Sequence, residues 1–303
     1  MRRLTILLPL LAIALSGFAG NASAAECPDG LVCVDVTVPL DRSGTVPGTI
    51  DLPVVAEPGD EPLLLFLGGG PGQGMFDRAE AISSYLGPLA PGHRIAVFDQ
   101  RGTGKVALRC PSIQFDALSD LTVPRPGSIE ACGRKLGRTR GFYTTSATID
   151  DLDAVRQALG AEQVSIWAVS YGTYVAERYA RKYPERTSGL VLDSVIPQDN
   201  VDAFFTPGMK RSRVVLRQLC KLGVCKGIRN PVAELATLVR RSNQRAITGR
   251  ATFEANGKRK RVRLDGPALF DLIIGLASFD PAGFATFPRA VHRALRGRTA
   301  PLL

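Results

Sequence analysis

VSIWAVSYGTY, residues 164–174, holds the transition on which the fold turns. Residues 164–169 form a short, nearly continuous apolar run, the look of a strand buried on both faces of a parallel sheet. From Tyr171 a helical pattern takes over and continues to Tyr183, where Pro184 stops it. Ser170 stands at the junction, with Gly172 two residues on. A sharp strand-to-helix turn of this kind lifts a serine hydroxyl above the sheet, and small-x-Ser-x-Gly is its sequence mark. Ala168 fills the first small position, where glycine is usual, and is still small enough for close packing. Such a string also occurs around ordinary helix N-cap serines. Its place between a buried strand and an amphipathic helix makes Ser170 a candidate nucleophile.

Working outward, LLLFL (63–67), RIAVF (94–98) and GLVLD (189–193) repeat the buried-strand pattern. Helical stretches lie between them, from Met75 to Leu89 and from Ile149 to Leu159. Alternating strand and helix predicts an α/β fold with a mostly parallel sheet and right-handed crossovers. Upstream, VCVDVTVPL and TIDLPVVAE read as two strands joined by a Pro/Gly-rich turn. After Pro197 the sequence becomes helix-rich, with candidates near 202–222, 231–244, 267–278 and 281–295. A hairpin is expected near 251–265, turning at Asn256-Gly257, with KRKRVR as its solvated side rather than a binding motif. The expected layout is a sheet-based core over 25–197 and a mostly helical lid over 198–303.

A nucleophilic serine is useful only where an oxyanion can be stabilised, commonly by two backbone N–H groups. One comes from the residue after the nucleophile, here Tyr171. The other is expected from the loop after an earlier strand, and LLLFL runs straight into Gly68-Gly69-Gly70-Pro71-Gly72. These glycines let the backbone approach a substrate and turn its N–H groups inward. A phosphate-cradling loop would be followed by a Lys-Ser/Thr pair, which is missing.

Taken together, GGGPG (68–72), DQRGTGK (99–105) and VSYGTY (169–174) resemble the proline iminopeptidase and tripeptidyl aminopeptidase branch of the α/β-hydrolases. The resemblance implies an α/β-hydrolase fold with a helical lid insertion. It also implies an exopeptidase that releases short N-terminal peptides or residues through an acyl-enzyme. A carboxylic-ester hydrolase is the alternative within the same chemistry, and a non-catalytic secreted protein the alternative outside it. Carried over by position, Ser170 is the nucleophile, while Tyr171 with Gly69 or Gly70 supplies the oxyanion hole. Asp99, Arg101 and Gly102 shape the neighbouring loop. Two departures stand out: Gly68 replaces a loop histidine of proline iminopeptidases, and Val106 stands where a serine usually closes the DQRGTG segment.

The base is harder to find. In this fold the order along the chain is Ser, then Asp or Glu, then His. Only His93 and His292 exist: the first precedes the serine in a surface turn, and the second lies in an arginine-flanked helical stretch. Asp193 follows the strand after the nucleophile and is expected to pack locally. The family's acid and base sit on strands beyond the lid. The expectation is therefore of a fragment or interrupted gene that holds Ser170 without the rest of the triad and is inactive alone. Glu234 and Glu254 align to no motif that would anchor a substrate amine.

The N-terminus carries Arg2 and Arg3, an apolar run from Leu4 to Ala19, and Ala22-Ser23-Ala24. That is the pattern of a secretory signal peptide cleaved after Ala24, and its apolar run is too short for a membrane span. Export makes disulfides the default for six cysteines. Among 15 possible connectivities, proximity suggests Cys27 with Cys33, Cys110 with Cys132, and Cys220 with Cys225. No cysteine pair precedes a histidine at zinc-ligand spacing, and no cofactor or metal is expected. The net charge of +10 falls to +8 without Arg2 and Arg3, with the excess between Lys210 and Arg263. Export and the lack of interleaved aromatics argue against nucleic acid as partner and for a solvated surface, one that could face an anionic envelope polymer. The expected partner is a peptide or ester substrate. Oligomeric state is left open by the sequence.

Overall fold

The computed structural model describes residues 27–116, 124–199, 206–252, 259–279 and 281–302. The signal peptide expected over 1–24 and the Asn256-Gly257 turn lie outside these residues. Strands β1 (Val32–Pro39) and β2 (Thr49–Ala56) pair antiparallel, and β2 in turn pairs antiparallel with β4 (Arg94–Phe98). From there the sheet is parallel through β3 (Leu63–Leu67), β5 (Val164–Val169) and β6 (Thr187–Asp193), in the order β1-β2-β4-β3-β5-β6. Because side chains alternate across a strand, β3 divides its run of leucines between the two faces. Leu63, Leu65 and Leu67 pack with α4 (Thr145–Ala158) and α5 (Tyr171–Lys182) through Leu152, Val155, Val175 and Tyr179. Leu64 packs on the other side against Leu86 of α1 (Ala79–Leu86). Each such buried leucine contributes roughly 1.5–3 kcal/mol relative to exposure, so the centre of the sheet is the rigid platform for everything that follows it.

One expectation is corrected here. GLVLD was read as a strand buried on both faces, yet in β6 Leu190 and Val191 are 36% and 46% exposed. Its residues are apolar, but it is an edge strand among the described residues and its faces are only partly covered. The stretch between Val106 and Ile149 also contains helices the sequence did not announce, α2 (Pro111–Asp116) and α3 (Pro126–Leu136). Helix α3 buries none of its residues, so it has no apolar stripe to read, and the Cys110–Cys132 disulfide ties it down.

Beyond the sheet come α6 (Thr206–Lys221), α7 (Pro231–Gln244), an antiparallel pair β7 (Ile247–Thr252) and β8 (Arg259–Leu264), α8 (Gly266–Phe279) and α9 (Pro281–Leu295). They share a cluster of their own, with Leu216, Leu238, Leu264, Leu269, Ile273, Phe287 and Val291 at its centre. All three disulfides join the neighbouring cysteines expected from the sequence, an arrangement consistent with an extracellular protein. Among the described residues no helix is long and apolar enough to cross a membrane.

Candidate active site

Three segments meet at one edge of the sheet because three neighbouring parallel strands, β4, β3 and β5, all end there. The chain leaves β3 for β4 on one side and returns to β5 on the other, the reversal of strand order at which open α/β sheets hold their ligands. The glycine loop follows β3, the Asp99 loop follows β4, and Ser170 follows β5.

Ser170 sits at φ 54°, ψ −122°, a region that side-chain-bearing residues seldom adopt. Several contacts hold it there. Its N–H donates to the Asp193 carbonyl at 2.9 Å, and its own carbonyl accepts from the Thr173 N–H at 2.9 Å and the Thr173 hydroxyl at 2.7 Å. Thr173 Oγ1 in turn accepts from the Ile196 N–H at 2.9 Å, which fixes the turn to the segment after β6. Gly172 explains the small residue two positions on: a Cβ there would lie 2.5 Å from the Leu67 carbonyl oxygen and 2.8 Å from that of Gly68. The helix can start this close to the end of β3 only without a side chain.

The glycine loop reaches the serine through Gly69. A Cβ on Gly69 would lie 3.0 Å from Ser170 Cβ and 3.4 Å from Oγ. Its N–H donates to Gln73 Oε1 at 3.0 Å. Gly70, at φ 111°, turns the chain so tightly that a side chain would strike the Gly72 nitrogen. Gly69 and Ser170 are thus brought together, and Gly70 closes the loop. Tyr171 is the first residue of α5, where an N–H has no carbonyl one turn earlier to bond. The Tyr171 hydroxyl lies 2.9 Å from Thr145 Oγ1, which pulls the ring toward the start of α4.

Asp99 and Arg101 organise the loop beside this pair. Asp99 is fully buried and accepts from the N–H groups of Met75 at 2.6 Å, Phe76 at 3.0 Å and Lys105 at 2.7 Å. Arg101 grips the buried Asp151 with two bonds, Nε to Oδ2 at 2.6 Å and Nη2 to Oδ1 at 2.7 Å. It also donates to the carbonyls of Leu40 and Phe142. The expectation that these residues shape rather than react fits such saturated side chains.

Neither histidine joins the serine. His93 lies before the start of β4, at the opposite end of the parallel strands from Ser170. It is half-buried in its turn, with Nδ1 enclosed. His292, on α9, has its Nδ1 2.9 Å from both carboxylate oxygens of Glu234 on α7. Asp193 is exposed, and its carboxylate accepts from the Ser194 hydroxyl at 2.8 Å. Sequence reading missed Gln73, Thr173 and Asp151. Gln73 alone carried a signal, as the first polar residue after the glycine loop. Among the described residues no group of three or more His, Cys, Asp or Glu could hold a metal ion.

A tripeptidyl aminopeptidase of Streptomyces coelicolor is 29% identical over 193 residues, covering 56% of this chain and 36% of that protein. Serine protease Hip1 of Mycobacterium tuberculosis is 25% identical over 195 residues, covering 56% of this chain and 37% of that protein. A probable proline iminopeptidase of Streptomyces coelicolor is 29% identical over 144 residues, covering 47% of this chain and 36% of that protein. The chain thus spans little more than a third of the length of these curated relatives. Two of these names, tripeptidyl aminopeptidase and proline iminopeptidase, fall in the branch to which GGGPG, DQRGTGK and VSYGTY pointed. Residues 62–215, just over half of the chain, match the alpha/beta hydrolase fold, and the chain belongs to that family.

Proposed function

We propose that this chain carries the nucleophile and oxyanion hole of an exported serine hydrolase that removes short peptides or residues from peptide N-termini. The observation behind the reading is Ser170 at φ 54° on a strand-to-helix turn, with Gly69 against its side chain. Ser170 Oγ attacks the scissile carbonyl, and the Tyr171 and Gly69 N–H groups receive the developing oxyanion. Gln73 Oε1 is the resting acceptor of the Gly69 N–H, and the substrate oxygen takes its place. The region over 198–303 is the lid that restricts entry to chain ends. The names of two relatives, tripeptidyl aminopeptidase and probable proline iminopeptidase, favour amides of N-terminal peptides over esters.

The reading leaves proton transfer to a histidine oriented by a carboxylate; His93 stands at the opposite end of the parallel strands and His292 faces Glu234. In this proposal the acid and base come from chain beyond Leu303, and residues 1–303 alone turn over substrate slowly or not at all. The test is a fluorophosphonate probe together with a panel of tripeptidyl amides, aminoacyl amides and short acyl esters, offered to the chain and to a version extended through the following strands. Labelling of the extended form lost in Ser170→Ala, with amide turnover, supports the proposal. Labelling that survives Ser170→Ala moves the nucleophile elsewhere, and ester-only turnover removes the peptidase assignment.

A further inference from the structure

The hairpin of β7 and β8 has one face that the proposed chemistry does not use. In β8, Val262 and Leu264 are buried while Arg259, Arg261 and Arg263 are exposed, the alternation of a strand with one covered side. The register sets Arg250 directly opposite Arg261, with Thr252 opposite Arg259 and Thr248 opposite Arg263. Arg250 is exposed as well, so four guanidiniums share one face. Same-face neighbours on a strand are roughly 7 Å apart and directly opposed Cβ atoms about 5 Å apart. Like charges opposed in this way disfavour the pairing. The ion pair Arg263 Nε to Asp265 Oδ2 at 3.7 Å is exposed on both sides and weak. The surroundings compound the charge: from Lys210 to Leu303 there are 20 lysines and arginines against 5 aspartates and glutamates, whereas the preceding residues carry 18 against 23.

We propose that this arginine face is a binding surface for a linear phosphodiester polymer, with successive phosphates set along the row Arg259-Arg261-Arg263 and Arg250 closing from the neighbouring strand. Guanidinium groups hold phosphate oxygens in bidentate pairs, and a regular row suits a repeated anion better than a single one. A membrane surface fits less well. Faces that lie on bilayers set apolar side chains beside the basic ones, and the side chains described on this face are four arginines and Thr248. Nucleic-acid strands are commonly held by aromatic side chains that stack bases, and those same residues include none.

The test measures fluorescence anisotropy of labelled poly(glycerol phosphate) with the full chain between about 50 and 200 mM salt. Four phosphate contacts at roughly 0.7 released counterions each give a slope of log K against log salt near −3. Arg259→Gln with Arg261→Gln should halve that slope and weaken binding at least tenfold at the lowest salt. Arg134→Gln with Arg138→Gln, exposed on and just after α3, removes the same charge elsewhere and should leave the slope unchanged. Far-UV circular dichroism confirms that both variants are folded, which exposed substitutions should preserve. No binding, an unchanged slope in the hairpin variant, or an equal loss in the α3 variant overturns the proposal. Tighter binding to duplex DNA or to phosphatidylglycerol vesicles at equal phosphate overturns it in favour of a nucleic acid or a membrane.

Discussion

Replacing Ser170 with glycine should make the protein more stable while removing its hydroxyl. Ser170 is held at φ 54° and ψ −122° by the bonds of its N–H and carbonyl groups to Asp193 and Thr173. A side-chain-bearing residue in so sparse a region stores about 1–3 kcal/mol. Glycine relieves that strain but loses more freedom on folding, by roughly 0.5–1 kcal/mol. The net gain is about 1 kcal/mol, which for a domain of this size raises the midpoint by about 2–4 °C. Ser170→Ala is the needed companion: it also lacks the hydroxyl but keeps the Cβ, and with it the strain, so its midpoint should stay near that of the parent. Thermal and urea unfolding followed by fluorescence reports this cleanly, because the single tryptophan, Trp167, lies on β5 three residues before the turn. If Ser170→Gly were no more stable than Ser170→Ala, the backbone strain assigned to the turn would be wrong.

Two further outcomes follow from buried charge. Arg101→Met strands Asp151, whose side chain is fully buried, with Arg42 as its remaining ion-pair partner. A loss of about 3–5 kcal/mol in urea unfolding is expected, and Arg101→Met with Asp151→Leu should lose less; equal losses would refute the stranded-charge account. At Asp41 the Ser43 hydroxyl, then the Ser43 N–H, holds the carboxyl below its ordinary value of 3.8. A lowered folded value contributes stability above 3.8 that is lost as pH falls through it. Ser43→Ala should therefore lower the midpoint at about pH 6 and much less at about pH 2.5, and a gap that does not change with pH would argue against it.

The parts of the fold legible in the sequence were those whose surroundings repeat along the strand. LLLFL, RIAVF and VSIWAV are apolar throughout because both their faces are covered, and they became β3, β4 and β5. GLVLD has the same composition but an edge position, and composition carries no record of which strand stands alongside. Helix α3 escaped notice for the opposite reason, having nothing buried to impose a period. At the site, the glycine loop and the serine turn were visible because close backbone approach leaves glycines in a row. The Arg101 to Asp151 pair spans 50 residues and has no local mark. Neither has Thr173, whose hydroxyl looks like any other helical threonine until its two bonds are seen.

Asp99 sets how the glycine loop can move. Its two carboxylate oxygens clamp the amides of Met75 and Phe76 on one side and of Lys105 on the other. Two loops from different strands are thereby riveted to one buried side chain, and the far end of the glycine loop is pinned a few residues from where it leaves β3. In the proposed reaction, where substrate displaces Gln73, the loop's adjustment falls within Gly68–Gly74, where five of the seven residues are glycine. The loop is a short bridge between two fixed piers, and any flexing open to it falls at its middle, leaving the sheet and the Asp99 anchor in place.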